Sequence, residues 1–109
     1  QANARASAAK NGLANMVKEC IVRDADNKTT VFSDAQSTKG NYSGYTLKKW
    51  EGTLKYKDSC YSGEATAAKS TESDFFIEMD TSSGEVLKTC SDDTAPGCDL
   101  GSDGKAKIW

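Results

Sequence analysis

Four cysteines, Cys20, Cys60, Cys90 and Cys98, and four carboxylates, Asp92, Asp93, Asp99 and Asp103, are the side chains in this 109-residue sequence best suited to chemistry. Thiols can ligate zinc, attack as nucleophiles or pair as disulfides. Tetrahedral zinc sites usually draw on C-x-x-C pairs, and no such spacing occurs here. The sequence has no histidine, which removes the commonest general base and a frequent zinc ligand. An even set of cysteines in a small polar chain therefore predicts disulfides, and with them a periplasmic, cell-surface or secreted setting. Cysteines so committed are not nucleophiles. No glycine loop has the pattern that cradles phosphate, and the carboxylates fall on predicted turns rather than paired across strands as in a glycosidase. Catalysis is not expected.

The segment "SDDTAPGCDLGSDG" gathers Asp92, Asp93, Asp99 and Asp103 on a turning backbone, an arrangement suited to Ca²⁺. Its "DLGSDG" lacks the further acidic residue of a full calcium loop, and exposed aspartate is ordinary in turns. In "DADNK" a lysine, Lys28, stands where a ligand would be needed, so that stretch reads as a solvated turn. The formal charge of −2, with both signs spread along the chain, offers no basic field for nucleic acid and no polybasic segment for anionic lipid.

The elements that must carry these residues follow from periodicity. Ala2, Ala6, Ala9, Leu13, Met16, Val17, Cys20 and Ile21 recur at intervals of three and four, which predicts an amphipathic helix over 1–24. The first half of its stripe is methyl-sized and the second half is larger, so the two halves should meet different neighbours. Gly12 marks a bend or a close contact. Residues 25–59 show only short apolar groups among Ser, Thr, Gly and Lys and read as a connecting loop, anchored by Val31, Phe32, Tyr45, Leu47 and Trp50 in short strands or helical turns. Tyr42, Tyr45, Trp50 and Tyr56 either pin that loop or offer a stacking surface for a sugar or another subunit. From Cys60 the period becomes two: 60–69 as a first strand, 74–80 and 85–90 as a hairpin around Gly84, and 104–109 as a fourth strand. The whole chain is one α+β domain: an N-terminal amphipathic helix packed on a four-stranded antiparallel sheet, with residues 60–109 forming the sheet and a C-terminal loop.

This order of elements, a small-residue helix, a long loop, an antiparallel meander and then "KTCSDDTAPGCDLGSDGKAKIW", resembles the globular head of a bacterial type IV pilin. Secondarily it resembles a type II secretion pseudopilin. The resemblance covers essentially the whole chain, by layout more than by signature string. It implies that "QANARASAAKNGLANMVKEC" is the second half of a longer helix whose apolar first half sits in the inner membrane before assembly and then forms the filament core. The absence of an N-cap signal in residues 1–4 agrees with a helix that continues upstream. It also implies that Cys90 and Cys98 close a C-terminal loop. Among the three possible connectivities, this leaves Cys20 with Cys60, Cys20 being on the helix face that meets the sheet. In the chain-entropy picture the two closures contribute roughly 2.6 and 3.9 kcal/mol.

The expectations are then a structural subunit of an extracellular pilus. Its partners would be other pilin subunits and the inner-membrane assembly machinery. Ala2, Ala6, Ala9 and Leu13 would be the filament-packing stripe, since small residues let helix backbones approach closely; plain helix propensity is the other explanation of the alanines. Adhesion, motility and DNA uptake are the roles the resemblance implies. A pseudopilin would favour a firmly held calcium. A secreted carbohydrate- or protein-binding module is the alternative from a different class.

Overall fold

A computed structural model describes residues 1–50 and 58–109 of the chain. Tyr56, one of the loop aromatics, lies outside the described residues. Helix α1 spans Ala2–Ala25 and buries Ala6, Ala9, Leu13, Met16, Val17 and Cys20, the three-and-four spacing of one helix face. Its end is built by Asn27, whose φ of 58° is left-handed. Asn27 N–H donates to Asp24 O and Lys28 N–H to Arg23 O, both at 3.0 Å, which satisfies carbonyls that a helix terminus would otherwise orphan.

After α1 come two short 3-10 turns, Phe32–Asp34 and Gln36–Lys39, which insert Phe32 and Ala35 into the core. Asp34 fastens the first turn by accepting from Val31 N–H at 3.0 Å, and it lies 3.8 Å from Arg23 Nη2.

The strands are β1 (Tyr45–Lys49), β2 (Ser62–Ala67), β3 (Phe75–Met79), β4 (Val86–Cys90), β5 (Asp99–Leu100) and β6 (Lys107–Ile108). They form one antiparallel sheet in the order β1-β2-β3-β4-β6-β5. Alternation in β1 and β3 places Tyr45, Leu47, Phe75, Ile77 and Met79 on the face that α1 crosses. Burying Leu13, Met16, Phe75 and Ile77 contributes about 1.5–3 kcal/mol each, against the entropy of ordering the chain.

Among the described residues the sheet has six strands rather than the expected four. The loop assigned to 25–59 contains β1, whose pairing partner lies far along the chain, Tyr45 opposite Ala67 and Lys49 opposite Gly63. The C-terminal loop contributes β5. The strand expected at 104–109 contracts to Lys107–Ile108, because Gly101 to Ala106 is a turn in which Asp103 Oδ1 accepts from Lys105 and Ala106 N–H at 2.9 and 3.0 Å. The hairpin expected over 74–90 is present, closed by Asp80 N–H donating to Glu85 O at 2.8 Å.

Candidate functional site

The four cysteines form two disulfides, Cys20–Cys60 and Cys90–Cys98, and no described cysteine is free. With Cα atoms 5.6 Å apart, Cys20–Cys60 fastens the lower half of α1 to the residue pair that leads into β2. Beside it the Tyr61 hydroxyl donates toward Cys20 O and Asp24 Oδ2, each at 3.3 Å. Burial first, and then the Asp24 charge, raise its pKa above the ordinary tyrosine value. Such bonds are compatible with an oxidising extracellular or periplasmic setting. No helix among the described residues is long and apolar enough to cross a membrane.

Cys90–Cys98 closes a loop that folds back onto the upper half of α1. Ser73, fully buried, is its fastening: Ser73 Oγ accepts from Ser91 and Asp92 N–H at 3.1 Å each and donates to Asp74 O at 2.8 Å. From the helix side Lys10 Nζ donates to Gly97 O at 3.2 Å and stands 5.6 Å over the Phe75 ring. Gly97 has φ of +87°, and a Cβ there would come within 3.1 Å of Ala6 Cβ and Phe75 Cζ. The loop can sit this low only because residue 6 ends in a methyl group.

This placement corrects the assignment of Ala6, Ala9 and Leu13 to filament packing. Ala6 is 2% exposed, and Ala9 and Leu13 not at all; their partners are the sheet and the disulfide loop of the same chain, so they cannot meet another helix. Ala2 is half-buried. Small residues do face outward, but elsewhere: Ala4, Ser7, Ala8 and Asn11 are exposed on the opposite side of α1. Gly12 is a close contact rather than a bend, since a Cβ there would lie 2.6 Å from the Tyr42 hydroxyl oxygen.

The aspartates do not converge. Asp92 Oδ1 accepts from Thr94 N–H at 3.0 Å and Thr94 Oγ1 at 2.6 Å, and these bonds lower its pKa. The backbone N–H groups of Ala106 and Lys105 likewise lower that of Asp103. Each is the oxygen of a turn, Asp99 is in β5, and among the described residues no group of three or more His, Cys, Asp or Glu is placed to hold a metal ion. Among the described residues Asp92, Asp93, Asp99 and Asp103 thus form no such group.

The described aromatics of the long segment serve as anchors. Tyr42 donates to Ser37 O, Tyr45 donates to Ser73 O at 2.7 Å, and the Trp50 ring lies 4.7 Å from that of Phe76.

Several contacts carry no local signal in the sequence. Arg5 Nε and Nη2 both lie 2.9 Å from Glu72 Oε1, joining the helix start to the segment before β3 across sixty-seven residues. Ser73 is one serine among many, and the Trp109 indole donates to Phe76 O at 3.0 Å. The outward small-residue face was visible in principle as a second alanine series, Ala4 and Ala8.

Comparison of the chain with protein-family models, with curated proteins and with solved structures returned no match.

Proposed function

We propose that this chain is the head of a pilin-type subunit, and that it polymerises into a surface filament through the outward face of α1. The observation that carries the reading is the division of labour on that helix. One face is committed to the head by the sheet, the Cys20–Cys60 bond and the disulfide-closed loop. The other presents Ala4, Ser7, Ala8 and Asn11, over which a neighbouring helix could approach closely. Repetition of one such head-to-tail contact without closure generates a helical fibre. No bond is made or broken in this process. Adhesion, motility and DNA uptake remain roles supported by the resemblance alone.

The test is Ala8→Glu in the full-length gene. Filaments on the cell surface should be lost, while the isolated head carrying the same change melts as the parent does. Normal filaments with Ala8→Glu would overturn the reading. The pseudopilin alternative predicts firm Ca²⁺ binding, which calorimetric titration of the head would detect. The dispersed aspartates favour the pilin.

A further inference from the structure

We draw no further inference here: the strongest candidate, the apolar cleft between α1 and the β3–β4 hairpin with Val17, Ile21, Ile77, Met79 and Val86 in its walls, is an unpartnered face, and nothing in the structure shows what covers it.

Discussion

Ala8 and Ala9 are neighbours in sequence and chemically identical, yet Ala9 has no exposed surface and Ala8 lies open to solvent. On the inward side space is tight at the upper half of the helix: a Cβ on Gly97 would stand 3.1 Å from Ala6 Cβ, and Ala9 has no exposed surface. On the outward side Ala4 and Ala8 are exposed and make no core contact among the described residues. The same residue type thus answers to packing on one face and is free for an external neighbour on the other.

The largest effect that would sharpen this contrast lies in the bond that commits the inward face. Replacing Cys20 and Cys60 together by alanine should cost about 4 kcal/mol in urea unfolding, the chain-entropy value for a loop of this length; a loss under about 1 kcal/mol would mean the packing alone holds the helix. Next comes Ala9→Leu, which should destabilise by about 1–3 kcal/mol through overpacking. Ala8→Leu, one residue away, should stay within about 0.5 kcal/mol of the parent. Equal costs for the two would break the comparison.

Tyr45, under the upper half of the helix, adds a pH signature. Burial, then the charges of Glu72 and Asp74, push its pKa from 10.0 up to about 12, and its hydroxyl donates to Ser73 O. The folded state therefore favours the neutral phenol. That contribution is complete below about pH 10, the unfolded value, and is lost as pH rises toward about 12. Urea midpoints across that range should fall more steeply for the parent than for Tyr45→Phe. At neutral pH the same substitution should cost about 1–2 kcal/mol, because Ser73 O loses its donor.

The helix and the β3–β4 hairpin were legible because each repeats its period long enough to be counted, from Ala6 to Cys20 and across Phe75, Ile77 and Met79. The disulfide pairing followed from where those elements put Cys20 and from the nearness of Cys90 to Cys98. At β1 the alternation of Tyr45 and Leu47 with Thr46 and Lys48 left a short strand and a helical turn both open, since five residues amid Gly, Ser and Lys resemble a loop until the partner at Ser62–Ala67 is known. Strands of two residues, β5 and β6, have no period to read. The packing face was misassigned for a different reason. Alanines occupy both sides of α1, and composition carries no sign of which side the Gly97 loop will cover.

The filament proposal supposes that α1 is part of a longer rod whose outward face meets copies of itself, and the most direct measurement is the intact mass of the mature chain purified from its source. A mass exceeding that of residues 1–109 by an apolar N-terminal segment of about 20 residues or more, enough to span a bilayer, is the expected result. A mature chain that begins at Gln1 after removal of a conventional signal peptide would contradict it.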